Sequence, residues 1–418
     1  MTTTWTAAAG VPRRRPIRLR YDIWFPLTVY TLTRALDAVM IVLASRHQVA
    51  LLGADPSYHL NYSSPADPGY ALIAANWDGQ WYRRIADLGY PRHLPLGANG
   101  HVAMNTWAFY PLYPLSAALL SHVTGLPFTT VAPLLSVALG AAAVLVLYRL
   151  LRRTTSQFVA SATTLLTCTF VAAPALQLDY TEPLALLLVC LALTLLRQQR
   201  YAGVAAAALG LALTRPIALA LVPVVAAHWW ARNRGADGAR FPSAHRWRVG
   251  LLVPWCVVVT GLWPLVAAVV THDPDAYRQT MAAWKAYEHN TPVLSWLGYF
   301  WRGSGVPGML LCVVAPVLLF LVVRRPGARA WGVEVRTWAW AYPAYLIVAA
   351  APGPSILRYL LLAFPLLWPF PEVGSNGPAT RAQRVAVALL AVGGVVLQWV
   401  WISSFVIITQ TPHHGPFP

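Results

Sequence analysis

Acidic residues are scarce in this chain, 14 in 418, and one of them, Asp78, stands between Trp77 and Trp81 in the charged, aromatic stretch 76–91. Read as a helix, the stretch puts Trp77, Trp81, Ile85 and Leu88 on one face, with Asp78, Arg83, Arg84 and Asp87 on the rest. Asn76 can cap it and Gly89 can end it. Asp78 then falls in the first turn, where unpaired N–H groups and the helix dipole favour an ionised carboxylate. Such a carboxylate at a membrane surface can take a proton from a hydroxyl, which makes Asp78 a candidate general base. A plain capping acid fits the same position, and local pattern leaves both readings open.

Other residues could serve such a reaction. Arg215 and Arg358 each fall at the end of an apolar run, where a guanidinium can hold a phosphate bidentately or simply snorkel to the interface. Glu182 lies between two apolar runs and can orient a sugar hydroxyl, pair with an arginine, or stand as a solvated turn acid before Pro183. Trp77 and Tyr82 flank Asp78, and Lys285, the one lysine, follows Trp284 in a second polar stretch. Arg34 and Asp37, three apart inside the first apolar run, are expected to form a structural pair because isolated charges there are expensive.

What must position these groups is a membrane domain. The chain is 57% hydrophobic and 11% charged, with a mean hydropathy of +0.52. Apolar runs recur from end to end, each long enough as a helix to approach the roughly 30 Å of a bilayer core. The net charge of +17 does not read as a nucleic-acid surface, because it is almost all arginine spread over loops and hints at a high-GC, bacterial genome. Cys168, Cys190, Cys256 and Cys312 all lie in apolar runs and read as small core residues, with neither disulfides nor a metal site expected. His413 and His414 are too isolated to suggest a metal site.

Cytoplasmic loops hold the excess of Arg and Lys, and that bias sets the orientation. Arg13, Arg14, Arg15, Arg18 and Arg20 put residues 1–22 inside as a retained basic N-terminus. The next basic cluster, Arg149, Arg152 and Arg153, is expected inside as well, which makes 45–128 one large extracytoplasmic loop. The apolar segment 107–122, with Pro111 and Pro114, must then be interfacial and not a crossing.

The expectation is a single all-α polytopic domain over 1–418, with about eleven spans near 23–44, 129–148, 157–176, 183–196, 201–214, 217–231, 249–271, 308–323, 337–350, 359–371 and 385–408. Most basic residues then fall inside, and most acids outside. The first outer loop should carry interfacial helices with Trp at headgroup level. A second outer loop, 272–307, should hold another, begun by Asp273 and Pro274, with Tyr277, Met281, Trp284 and Glu288 on one face. There, Arg278, Gln279 and Lys285 can face lipid phosphates or a donor.

The motifs now gain a context. Trp77-Asp78, then Ile85-Ala86 with Gly89-Tyr90, then Ala108-Phe-Tyr-Pro-Leu-Tyr-Pro114, resembles the signature of the PIG-V family. These are the mannosyltransferases that add the second mannose of the glycosylphosphatidylinositol anchor, with bacterial relatives, within the GT-C superfamily of glycosyltransferases that use polyprenyl phosphate sugars. Weaker echoes are Tyr180-Thr-Glu-Pro183, Leu213-Thr-Arg-Pro216, and Arg358-Tyr359 with Phe364-Pro365; the R-x-N-G-like element is matched only at Arg215. The resemblance implies a GT-C-like fold in the plasma membrane with an extracytoplasmic site. It implies an inverting transfer of mannose from a polyprenyl phosphate donor to a hydroxyl of a lipid or glycan acceptor; no cofactor is expected, and the residues leave open whether a divalent cation assists. Asp78 would be the base, and Arg215, Arg358, Glu182, Trp77, Tyr82 and Lys285 would contact substrate. A polytopic transporter or flippase is the alternative, but it would carry its ionisable groups at mid-membrane on broken, repeated spans.

Overall fold

The computed structural model describes residues 21–50, 61–235, 241–284, 293–368 and 379–409. Within them the chain is helical, with an isolated bridge between Leu96 and Val102 and no strand among the described residues. Helices are what apolar runs must form where no water is available to satisfy the backbone. They follow as α1 (Tyr21–Ser45), α2 (Gly69–Ala74), α3 (Asp78–Leu88), α4 (Leu112–Thr124), α5 (Phe128–Arg152), α6 (Gln157–Cys168), α7 (Glu182–Arg197) and α8 (Tyr201–Ala212). Then come α9 (Leu221–Asn233), α10 (Ser243–Thr260), α11 (Leu262–Thr271), α12 (Ala276–Ala283), α13 (Leu294–Arg324), α14 (Val333–Ala349), α15 (Ile356–Tyr359) and α16 (Arg381–Trp401).

Five segments are long and apolar enough to cross a membrane, by length and composition: Tyr21–Ser45, Phe128–Arg152, Ser243–Thr271, Leu294–Arg324 and Arg381–Val406. The other six expected spans coincide with shorter or interrupted helices. α6 has 12 residues, α8 has 12 and α7 has 16, so even α7 extends only about 24 Å. The full count of about eleven crossings is therefore not carried by helix length. These short helices are buried among neighbours, where their ends find partners inside the protein. α7 packs along α5 and α8, and α14 along α9. Small residues such as Ala143, Ala185, Ala192 and Ala208 are fully buried there and let the backbones approach.

Asp22, at the start of α1, meets Arg152, at the end of α5, at 3.5 Å, so the two helices run antiparallel. The basic cluster 149–153 thus lies at the same end as the beginning of α1, as the sequence requires. The intervening α4 has 13 residues, about 20 Å, short of the roughly 30 Å of a bilayer core. At that same end Glu334 of α14 takes His228 of α9 at 2.7 Å and Arg197 of α7 at 3.8 Å. Arg34 and Asp37 pair at 2.8 Å inside α1, as expected. Arg34 also donates to the Cys168 carbonyl at 2.7 Å and to that of Ala173, capping the end of α6.

α13 is the least covered of the five candidate spans. It kinks at Gly305, whose φ of 58° and ψ of −135° are not helical. The expected span 308–323 begins just past that kink. The portion before it reaches back to the functional end, where the Trp296 indole donates to the Ala350 carbonyl at 3.2 Å.

Candidate functional site

The site lies at the end of the bundle opposite Arg197, where α7 begins. Asp78 is the first residue of α3, and the residue before it, Trp77, is held at φ 59°, ψ −114°, a costly conformation for a residue with a side chain. What holds it is the far end of the chain. The Trp77 indole donates to the Val406 carbonyl at 3.0 Å, and the Asn76 amide donates to the same carbonyl at 3.0 Å and to Gln48 Oε1 at 2.9 Å. Asn76 therefore does not cap α3, against expectation: its amide is spent on Gln48 and on the short π-helix Ile402–Val406. Gly89 does end α3, at φ 70°.

The expected interfacial placement of α3 also needs correcting. Trp77, Trp81, Tyr82 and Ile85 are buried in protein, not displayed at headgroup level, while Leu88 at the end of the same stripe is exposed. The apolar face is used against α4 and the aromatic residues around it. Trp81 stacks on Phe109 at 5.6 Å and meets Trp284 edge-on at 4.9 Å; Tyr82 packs edge-on against Phe109 and Tyr113. Arg83, Arg84 and Asp87 line the outer edge, with Tyr62 donating to Asp87 at 2.7 Å.

A second strap fixes Asp78 relative to α7. The Asp179 N–H donates to the Ala74 carbonyl at 3.0 Å, laying loop 177–181 on the turn between α2 and α3. The contact is close enough to favour glycine at 79: a Cβ there would lie 3.1 Å from that of Asp179. Asp179 is fully buried, with neither carboxylate oxygen hydrogen-bonded among the described residues, and burial pushes its carboxyl well above the usual range.

Glu182 follows as the first residue of α7, with 0% exposure. Arg215, just past α8, is brought in by that helix and by the Ala108–Pro114 block, since the Leu112 N–H donates to the Leu213 carbonyl at 2.9 Å. Arg358 comes from α15, a single turn, and is 4% exposed. It is not a snorkelling anchor at a span end.

These four residues form one chain of charges. Arg358 Nη2 meets Asp78 Oδ2 at 2.6 Å, Arg358 Nη1 meets Glu182 Oε1 at 3.0 Å, and Arg215 bonds the same Glu182 oxygen. Burial opposes ionisation of Glu182, and the two guanidiniums outweigh it, holding its carboxyl below the usual range. Aromatic rings cover the arginines: Arg215 lies 4.2 Å from the Tyr359 ring, and Arg358 lies 4.9 Å from Tyr180 and 5.1 Å from Tyr359. Both arginines, read from sequence as phosphate ligands, thus already have carboxylate partners.

The chain of charges forms one wall of a cavity of about 500 Å³. Asp78, Arg215 and Arg358 line it, and among the described residues Asp78 is the one carboxylate that does. The side chain of Asp78 is 25% exposed, against none for Glu182. Trp77 and Tyr82 also line the cavity, so the structure brings together six of the residues singled out in the sequence, counting the buried Glu182. Lys285 and Glu288 lie outside the described residues.

In the second outer stretch Tyr277 and Met281 share one face of α12, with Trp284 just after it, and this face, expected to lie on the membrane surface, lines the cavity instead. Arg278 and Gln279 do not join them. They are held on the outer side by Asp275 and Asp273, at 2.8 Å each. Sequence reasoning missed Tyr342 and Tyr345 of α14 and gave Tyr359 no role. The Tyr342 hydroxyl donates to the Tyr359 carbonyl at 3.0 Å, and that of Tyr345 to Pro216. Only the Arg358-Tyr359 adjacency offered a sequence signal. Among the described residues no three His, Cys, Asp or Glu side chains converge as a metal site.

No family model and no curated protein matches this sequence. Among solved structures the chain is similar to the archaeal oligosaccharyltransferase AglB from Archaeoglobus fulgidus in complex with an inhibitory peptide and a dolichol-phosphate. The TM-score is 0.47 at 13% identity, over 94% of this chain and 57% of that one. It is also similar to an Archaeoglobus fulgidus oligosaccharyltransferase in complex with Zn and sulfate, at a TM-score of 0.47 and 15% identity, over 92% and 54%. The chain spans little more than half the length of either.

Proposed function

We propose that this chain is a GT-C-type, inverting glycosyltransferase of the membrane. It moves a hexose, mannose by the motif resemblance, from a polyprenyl phosphate sugar to a hydroxyl of a lipid or glycan acceptor. The observation that carries the reading is Asp78, a partly exposed carboxylate that lines an aromatic cavity and shares Arg358 with the buried Glu182. A displacement at the anomeric carbon needs a base for the hydroxyl and cations for the departing phosphate, and this cavity has both within one ion-paired chain. Asp78 accepts the hydroxyl proton. Arg358 and Arg215 take the growing negative charge of the leaving phosphate. Flat rings such as Trp81 and Trp284 suit a sugar face or an isoprenoid unit.

The test is transfer itself. Reconstituted protein given radiolabelled polyprenyl phosphate mannose, with polyprenyl phosphate glucose in parallel, should label a membrane acceptor from one donor. Asp78→Asn should lower the rate by about 10²–10⁴ while leaving the fold intact. A folded Asp78→Asn protein that transfers sugar normally would sink the base assignment. Orientation, with the N-terminus cytoplasmic and the site outside, is checked by labelling: Pro95→Cys should react from outside, and Ala236→Cys only after permeabilisation.

A further inference from the structure

We infer that Arg358 is a shared ligand which an incoming phosphate takes from Asp78, so that the donor binds first and its binding hands the base to the acceptor. This rests on the transferase reading above. Arg358 is engaged on both sides, with Nη2 on Asp78 at 2.6 Å and Nη1 on Glu182 at 3.0 Å. It is 4% exposed, and the rings of Tyr180 and Tyr359 lie against it, so it has little freedom to swing toward a ligand. A phosphate must come to it.

The two carboxylates it holds differ in what they can do next. Glu182 is fully buried and also bound by Arg215, so it stays. Asp78 is one-quarter exposed and lines the cavity, so it can give way. Charge favours the exchange. Two carboxylates and two guanidiniums cancel, and a phosphodiester adds one negative charge, leaving three anionic groups to share two arginines. The phosphate displaces Asp78 from Nη2, and Asp78, still at the first turn of α3, is left facing the acceptor hydroxyl.

The chemical step then balances. The acceptor O–H breaks and its proton passes to Asp78. The acceptor oxygen bonds to C1, and the C1–O bond to phosphate breaks with its electron pair going to the phosphate oxygen. Polyprenyl phosphate, now with a second negative charge, remains on Arg358 and Arg215. When Asp78 gives its proton to water and regains Arg358, the product phosphate is expelled.

The inference makes a prediction that a base alone does not: removing the charge of Asp78 should tighten phosphate binding. The probe is a polyprenyl phosphate titrated against purified protein in detergent, with melting temperature as a check on folding. Asp78→Asn is expected to bind it about tenfold more tightly than wild type, because no carboxylate competes for Nη2. In an Arg358→Gln background the same change at Asp78 should make no difference, which separates exchange at Arg358 from a general charge effect. Unchanged or weaker binding by a folded Asp78→Asn protein would overturn the exchange, and the transferase reading would stand if wild type still transfers sugar. Failure of wild type and variant alike to bind polyprenyl phosphate would overturn the reading and the inference together.

Discussion

Glu182 carries both Arg215 and Arg358 on a single oxygen, Oε1, while its Oε2 is buried with no hydrogen bond among the described residues. One carboxylate therefore fixes the spacing of the two guanidiniums that face the cavity. Removing its charge would leave two buried cations short of a partner, the costly way to break a buried pair. Glu182→Gln is expected to destabilise the protein by about 3–5 kcal/mol, read as a fall in melting temperature in detergent. A change within a few tenths of a kcal/mol would show that the pair does not organise the site.

Arg215 bonds Glu182, reaches Thr181 at 3.5 Å and lies over the Tyr359 ring at 4.2 Å. Lysine keeps the charge but has no planar fork with which to do all three. Losing one hydrogen bond to a charged group is worth roughly 1.5–3 kcal/mol, so Arg215→Lys should raise the donor KM about tenfold or more. Because Arg215 meets charge that grows as the phosphate leaves, kcat should fall as well, and steady-state kinetics at varied donor concentration reads both effects.

Gly79 is where α3 touches loop 177–181. An alanine there would have its Cβ 3.1 Å from that of Asp179 and 3.2 Å from the Ala74 carbonyl, both tighter than ordinary contact. Overpacking of this kind costs about 1–3 kcal/mol. Gly79→Ala should lower the melting temperature and, by shifting the first turn of α3, also the transfer rate. An active, fully stable variant would mean that the strap yields without moving Asp78.

Asp179 gives a pH dependence with a definite sign. Its carboxyl is pushed well up by burial in the folded protein, against an unfolded value of about 3.9. Below the unfolded value both states hold the proton. As pH rises above about 4, the unfolded chain ionises while the folded one does not, so stability falls until the folded group also ionises. Asp179→Asn removes that loss. The variant should melt higher than wild type at neutral pH and vary less from pH 4 upward, measured by thermal melts across that range.

Much of this was legible in the chain. Apolar runs mark helices because a backbone away from water must satisfy itself, and the positions found agree closely with the runs at 129–148 and 385–408. The Arg149–Arg153 cluster, read with Pro111 and Pro114, predicted that 107–122 does not cross, and the Asp22–Arg152 pair agrees. The number of crossings was less legible, because hydropathy measures apolarity and not length: α6, α7 and α8 are apolar through burial against other helices.

The sequence by itself determined which side chains were worth attention, since charged residues in an apolar chain are few and each must find a partner or a use. Asp78 and Glu182 stood out as scarce acids, Arg215 and Arg358 by their place at the ends of apolar runs, and all four by the motif resemblance. Only the tertiary structure decided that they are partners of one another. Their separations, 104 residues from Asp78 to Glu182 and 176 from Glu182 to Arg358, leave no local periodicity to read. The same holds for Trp77, whose strained backbone is stabilised by a carbonyl 329 residues away, at Val406. Short-range pattern records what a helix presents on each face. Which helix end meets which is set by packing of the whole bundle, and that packing turns four separate charges into one wall of a cavity.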